Sequence, residues 1–229
     1  DVERSRGLGD VYKRQPQTAM GTAPFALVML LLAAAPPAPE QLAPQEPQPM
    51  AEALFQELLL SSDLSALEQG CLEAASFGLA DRQQQLRDRL LSLHPTPESI
   101  DVVLANARVL MTCRAPEAVR TLLSRYSPGV GAPRERWLLM SWQAADAALD
   151  HPRAARALRR LVNGDLAALE QKQLVEAPAA TAEPGEPITV NGLDQLAHHE
   201  AAAGDGLAAA AVLLSGRATG AVAARRLGL

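Results

Sequence analysis

Prolines and an apolar periodicity of three and four divide residues 97 to 162 into two successive helix pairs, and few folds are open to a chain punctuated in this way. Thr96 can cap a helix whose first residue is Pro97, where the missing N–H costs nothing because that position has no intrahelical acceptor. Ile100, Val103, Leu104, Ala107, Leu110 and Met111 then share one face, until Arg114-Ala115-Pro116 breaks the run and Pro116 opens a second helix with Val119, Leu122, Leu123 and Tyr126 inward. Ser127-Pro128-Gly129 closes it. Pro133 opens a third helix carrying Trp137, Leu138, Met140, Ala144, Ala148 and Leu149, and Asp150-His151-Pro152 turns into a fourth carrying Ala155, Leu158, Leu161 and Val162. Asn163-Gly164 ends the fourth, with Gly164 free to take the left-handed conformation that closes a helix.

The two pairs superimpose at a spacing of 36 residues, and the spacing extends one unit backwards: Leu86, Leu122 and Leu158 coincide, as do Leu90, Tyr126 and Val162, and Leu67, Val103 and Leu139. A fixed period of that size signals stacked helix pairs, because one pair cannot bury its own apolar face. The expectation is an all-α fold of antiparallel helix pairs stacked as a short solenoid over residues 50–176, in a single domain. Earlier helices are expected at 50–60, at 64–77 capped by Asp63, and at 82–93 capped by Asp81. A further helix should run from Leu166 to Glu176 behind Asp165. Pro178, Pro184, Gly185 and Pro187 mark 177–190 as a loop. Residues 191–229 read as a degenerate helical cap: Asn191 caps a helix to Ala203, Gly204-Asp205 turns, and Leu207–Leu214 and Ala218–Leu227 follow. Aromatics are only 3% of the chain while alanine and leucine dominate, which favours helix over strand.

Over residues 64 to 162 this pattern resembles the tetratricopeptide-like α-solenoids. Ala118 and Ala154 match the family's small residue in the second helix, and Leu122 and Leu158 its large apolar position. The small position of the first helix holds Gly70 in one unit but Asn106 and Trp142 in the next two, and Arg82 stands where the family has alanine. The resemblance implies stacked helix pairs and a concave peptide-binding face, without naming a ligand.

The segments before residue 50 are read separately. Ser5 to Gln15 resembles the translation of a transposon-based sequencing adapter, so residues 1–15 are taken as an assembly artefact of a metagenomic reading frame and excluded from fold reasoning. Residues 16–35, with an apolar run from Phe25 to Leu32 followed by Ala33-Ala34-Ala35, fit a secretory leader better than a membrane span, which needs ~20 apolar residues. With such a leader the chain is expected in the periplasm or secreted, with a mature N-terminus near Pro36 and no membrane span after cleavage. An uncleaved anchor formed by residues 23–35 is the alternative. Residues 36–49 are proline-rich and read as an extended linker rather than a ligand for a proline-binding domain, since no basic residue orients them.

Charge narrows the partner class. Residues 16–80 hold seven acids and no base, residues 81–160 thirteen arginines against eight acids, and residues 161–229 eight acids against four bases. An acidic chain with a basic middle and few aromatics is a poor nucleic-acid binder, and a helix-turn-helix reading of 116–162 is set aside on that ground. The bland reading of the arginines is a solvated face with neighbours such as Asp88 and Glu117. The sharper one is a surface for an acidic protein or peptide, the chain's own arginine-free N-terminal segment or acidic tail included.

Chemistry-bearing motifs are sparse. Ser141 and Ser215 lie in no nucleophile-elbow context, and Gly204-Asp205-Gly206 lacks the lysine of a phosphate loop. His198-His199-Glu200, with Asp194 one turn before His198, offers two ligands on a helix face and no third, so no metal or cofactor is expected. Trp137 and Trp142 are five residues apart, which places one in the core and leaves the other partly exposed. Cys71 falls opposite residue 107 of the next unit, six residues before Cys113. That offset is ~9 Å along the axis at ~1.5 Å per residue, and a helix separation of ~8–10 Å added to it exceeds the ~7 Å limit for a bridge. Both cysteines are therefore expected to be free and buried, and a bridge between them would contradict the pairing geometry and the 36-residue register together. The resulting expectation is a non-enzymatic helical-repeat protein mediating protein–protein interaction through a groove lined by Arg136, Leu139, Met140 and Gln143. An all-helical enzyme or enzyme subunit, its site assembled from scattered residues, is the alternative.

Overall fold

A computed structural model describes residues 47–97, 99–176 and 188–228. The readings for residues 1–15 and 16–35, most of the linker 36–49 and most of the loop 177–190 fall outside the described residues. The described chain is all-α apart from one small hairpin. Its elements are α1 (Glu52–Leu60), α2 (Leu64–Ser76), α3 (Ala80–Leu93), α4 (Ile100–Thr112), α5 (Pro116–Ser124), α6 (Ala132–Ala147), α7 (His151–Leu161), α8 (Leu166–Glu170), β1 (Gln173–Val175), β2 (Thr189–Asn191), α9 (Gly192–Ala202), α10 (Gly206–Leu214) and α11 (Ala221–Leu227). None of the described helices is long and apolar enough to cross a membrane.

Helices pack as successive antiparallel pairs, α2 with α3, α4 with α5, α6 with α7 and α9 with α10. Neighbouring pairs meet through α2 on α4, α4 and α5 on α6, and α7 on α9. The turn inside each pair is the same device. Gly78, Arg114, Leu149 and Gly204 have φ of 67°, 54°, 55° and 90°, and the next residue's N–H returns to the carbonyl five residues back, Leu79 to Ala74, Ala115 to Leu110, Asp150 to Ala145 and Asp205 to Glu200. This is the Schellman closure, which satisfies helix-end carbonyls and reverses the chain within a few residues. Asn163 and Gly164 close α7 with φ of 51° and 85°.

Burial follows the sequence spacing in part, Leu139 and Tyr126 of the same register being only partly buried. Leu86, Leu122 and Leu158 are each fully buried in the second helix of a pair, as are Leu67 and Val103 in the first. Two apolar clusters result. One joins α1 to α5 around Leu67, Leu86, Leu110 and Leu122, and the other joins α6 to α10 around Trp142, Leu158, Leu193 and Leu196. Helix α6 serves both, giving Met140 and Ala144 to the first cluster and Trp142 and Ala145 to the second. A helix flanked on two sides must be apolar on two sides, which is why α6 carries no clean polar face.

The cysteine expectation is overturned: Cys71 and Cys113 form a disulfide, with Cα atoms 4.9 Å apart. Two parts of the geometric argument fail. Helix Cα atoms stand about 2.3 Å off the axis, so facing atoms on axes ~8–10 Å apart come within bridging range. The helices are also slid along one another: the Thr112 hydroxyl donates to the Glu68 carboxylate at 2.8 Å, so the end of α4 lies on the middle of α2. The bridge therefore contradicts the 36-residue register between α2 and α4, and what survives of that spacing is the burial of Leu86, Leu122 and Leu158.

Local boundaries differ in several places, the start of α1 at Glu52 and of α11 at Ala221 among them. Helix α4 begins at Ile100 rather than Pro97, capped by the Ser99 hydroxyl accepting from Val102 N–H, so Thr96 is not its cap. Asp81 is not a cap either: α3 starts at Ala80, and Asp81 sits in the first turn, where an acid still favours the positive helix end. Helix α5 stops at Ser124 and α8 at Glu170, well short of Ser127 and Glu176. Residues beyond α8 are diverted into β1, which pairs antiparallel with β2 through Leu174 and Val190 and buries Leu174. The Asn191 side chain donates to the Glu170 carbonyl and accepts from Leu193 and Asp194 N–H, ending α8 and beginning α9 at once. Gly192 must be glycine here, because a Cβ would lie 2.7 Å from the Leu169 carbonyl oxygen. Asp63, Asp150, Asp165 and Asp205 do cap α2, α7, α8 and α10.

Candidate functional site

The residues expected to line a groove are dispersed by packing. Arg136 pairs with Asp101 of α4 at 2.7 Å, Leu139 packs against the second cluster, Met140 is buried in the first, and the Gln143 amide donates to the Val175 carbonyl of β1 at 2.9 Å. Arg136 and Asp101 both remain exposed, and Gln143 is half-buried beside β1. Trp142 is the core tryptophan, and Trp137 is half-buried, its indole N–H donating to the Leu123 carbonyl at 3.1 Å.

Most mid-chain arginines are likewise committed. Arg89 donates to the Leu60 and Ser61 carbonyls at the end of α1, Arg87 to the Cys113 and Arg114 carbonyls at the end of α4, and Arg125 to the Leu91 carbonyl near the end of α3. These cations satisfy carbonyls that have no intrahelical partner, at the negative end of the helix dipole. Arg82 donates to the Met50 carbonyl, pairs with Glu52 at 2.8 Å and lies over the Phe55 ring, fixing α1. Arg159 pairs with Glu200 of α9 at 2.6 Å.

Arg108 of α4 and Arg134 of α6 are exposed and enter no ion pair among the described residues, and on α7 arginines form a row. Arg153, Arg156 and Arg160 follow the helical spacing on the face opposite the buried Ala154, Ala155 and Leu158. They border a cavity of about 290 Å³ floored by Trp137, Leu138 and Ala157. Arg153 is shared with Asp150 at 3.3 Å, while Arg156 and Arg160 enter no ion pair among the described residues. An apolar floor with a rim of uncompensated guanidinium groups suits a carboxylate-bearing chain that also offers one apolar side chain.

A second cluster lies on the other side of α7. His151, the first residue of α7, meets His198 and His199 of α9, one nitrogen from each falling within 4.8 Å of the others. His199 is fully buried: Trp142 Nε1–H donates to its Nε2 at 2.9 Å, and its Nδ1 is 3.2 Å from His151 Nδ1. The indole can only donate, so His199 carries its proton on Nδ1 and gives it to His151 Nδ1. Burial first, then the neighbouring His198 and His151, push the His199 pKa down to about 4, so the ring is neutral at neutral pH. Asp146 of α6 lies alongside, 3.9 Å from His199 Nε2, and its own pKa is raised by burial against the opposing pull of His198 and His151. Sequence reasoning found His198 and His199 but not His151, which reads there only as part of a turn. The pairing it suggested between Asp194 and His198 does not form a site, because Asp194 is held by Arg225 at 3.0 Å and Arg226 at 2.6 Å.

The chain matches no known protein family, no curated protein and no solved structure.

Proposed function

We propose that this chain is a non-enzymatic helical-repeat protein that binds an acidic segment of another protein along the α6–α7 groove, in an exported, oxidising compartment. One observation carries the binding reading: Arg156 and Arg160 stand uncompensated beside an apolar cavity, while Arg82, Arg87, Arg89, Arg125 and Arg159 are engaged within the fold. The Cys71–Cys113 disulfide supports the compartment, since buried bridges persist where thiols are not kept reduced. The resemblance to tetratricopeptide-like solenoids agrees with a peptide-binding role. Exposed charge pairs are worth only ~0–1 kcal/mol each and are screened beyond ~8 Å at physiological salt, so affinity should fall as salt rises.

The test is fluorescence anisotropy with a labelled peptide of alternating glutamate and leucine, against its glutamine counterpart. The acidic peptide should bind more tightly, and Arg156→Glu with Arg160→Glu should weaken it at least tenfold. Arg136→Glu, at a residue already paired with Asp101, should weaken it less. Equal affinity for the two peptides, or binding untouched by the double change, would reject the groove.

A further inference from the structure

We propose that His151, His198 and His199 form a binding site for a divalent transition metal of the zinc class, which would pin α9 to α7. The residue type suits such an ion, imidazole nitrogen being the ligand shared by zinc, copper and nickel sites. The spacing suits it as well. Two nitrogens on a tetrahedral zinc at ~2.0–2.1 Å are about 3.3–3.4 Å apart, and His151 Nδ1 and His199 Nδ1 are already at 3.2 Å. The ring centroids are mutually 5.5 to 5.8 Å apart with His151 and His198 perpendicular, and one nitrogen of each ring lies within 4.8 Å of the other two. His198 is exposed and free to swing its nitrogen inward by the remaining distance, whereas His199 is held by the core.

In the metal-free molecule a proton occupies the place of the ion. His199 Nδ1–H donates to His151 Nδ1 because the Trp142 indole donates to Nε2 on the other side. When the ion takes the Nδ1 lone pair, the proton leaves Nδ1 and one is taken up at Nε2, so the net protonation of His199 is unchanged. Nε2–H then faces the indole N–H, donor against donor, and the Trp142 hydrogen bond must open. The Asp146 carboxylate, 3.9 Å from Nε2, is the acceptor at hand, and a carboxylate receiving the second N–H is the usual support of a metal-bound histidine. Metal binding therefore exchanges a Trp142–His199 hydrogen bond for an Asp146–His199 one, and a fully buried indole reports it.

The experiment is zinc titration of the untagged full chain after chelator treatment, by calorimetry and by tryptophan emission in a Trp137→Phe background, where Trp142 is the remaining indole. Saturable binding of one zinc per chain with a change in Trp142 emission is expected. His198→Ala alters an exposed side chain that the fold does not need, and should lower affinity at least tenfold. His151→Ala should do the same, and Asp146→Asn should cost about tenfold, the lower end for an outer-shell partner. His94→Ala, the remaining histidine, should change nothing. Zinc affinity unchanged by His198→Ala or by His151→Ala would overturn the site. So would binding that leaves Trp142 emission unaltered, since the ion would then not reach His199.

Discussion

The two apolar clusters close in different ways. The cluster of α1–α5 is built from leucine, valine, isoleucine and Phe55 and is tied through its centre by Cys71–Cys113, with arginine side chains sealing helix ends from outside. Among the described residues its one buried polar side chain is Asn106. The cluster of α6–α10 is rich in alanine, holds no cysteine, and packs beside buried polar groups: His199 on Trp142, and Glu170 with Arg226. The Glu170 carboxylate accepts from the backbone N–H groups of Arg217 and Ala218 and from Arg226, while Arg226 also reaches Asp194 and Asn191. Alanine buries little area, at ~25 cal/mol per Å² of apolar surface, so short side chains leave the second region more dependent on polar closure. A polar closure is conditional: it holds while each partner is present and in its proper charge state.

The largest effect that would sharpen this contrast is at Glu170. Glu170→Ala strips a buried partner from Arg226 and should cost about 3–5 kcal/mol in denaturant unfolding. The same group should make stability pH-dependent. The N–H of Arg217, then Arg226, hold the Glu170 carboxyl below its ordinary value of 4.5, so the folded chain binds fewer protons than the unfolded one in that range. Its contribution is full above 4.5 and is lost as pH falls below it, and the acid-side slope should flatten in the variant. A cost under ~1 kcal/mol would mean that the apolar contacts hold the second region by themselves.

The disulfide gives the next effect. Removing it in Cys71→Ala/Cys113→Ala opens a covalent loop with a sequence separation of 42 and should lower stability by about 2–4 kcal/mol. Amide exchange should accelerate in α2 and α4 and change little in α9 and α10. Equal acceleration in both would show that the two clusters unfold as one and differ only in geometry.

Asn106 supplies the smallest. Both polar atoms of its amide lack a hydrogen-bond partner while the residue is wholly buried, in a cluster otherwise closed by apolar contact. Asn106→Leu, of similar volume, should raise stability by about 1 kcal/mol in thermal or denaturant unfolding. Destabilisation would show that the amide serves the first cluster in a way that packing does not reveal.

Part of the candidate chemistry was open to reading in the chain and part was not. The excess of arginine over residues 81–160 is plain, but its use is not: Arg87, Arg89 and Arg125 turn to helix-end carbonyls 26 to 34 residues away. Arg156 and Arg160, on the exposed face of α7, follow from helical spacing alone. His151 is 48 residues from His199, and no local pattern foretells that they meet.

Local sequence set most of the helices and the caps at Asp63, Asp165 and Asn191, because each depends on groups a few residues apart whose geometry the backbone already limits, but the left-handed turns at Arg114 and Leu149 carry no glycine to announce them. Spacing likewise set the inward turn of Leu86, Leu122 and Leu158, whereas Leu149, read on the apolar face of the third helix, lies past the end of α6 and is exposed. Tertiary structure decided the axial slide that brings Cys71 to Cys113, the diversion of residues 173–175 into a strand, and the meeting of three histidines from two helices. Those outcomes rest on how whole faces fit against one another. A shift of a few residues along a helix leaves every local preference satisfied and changes every long-range partner.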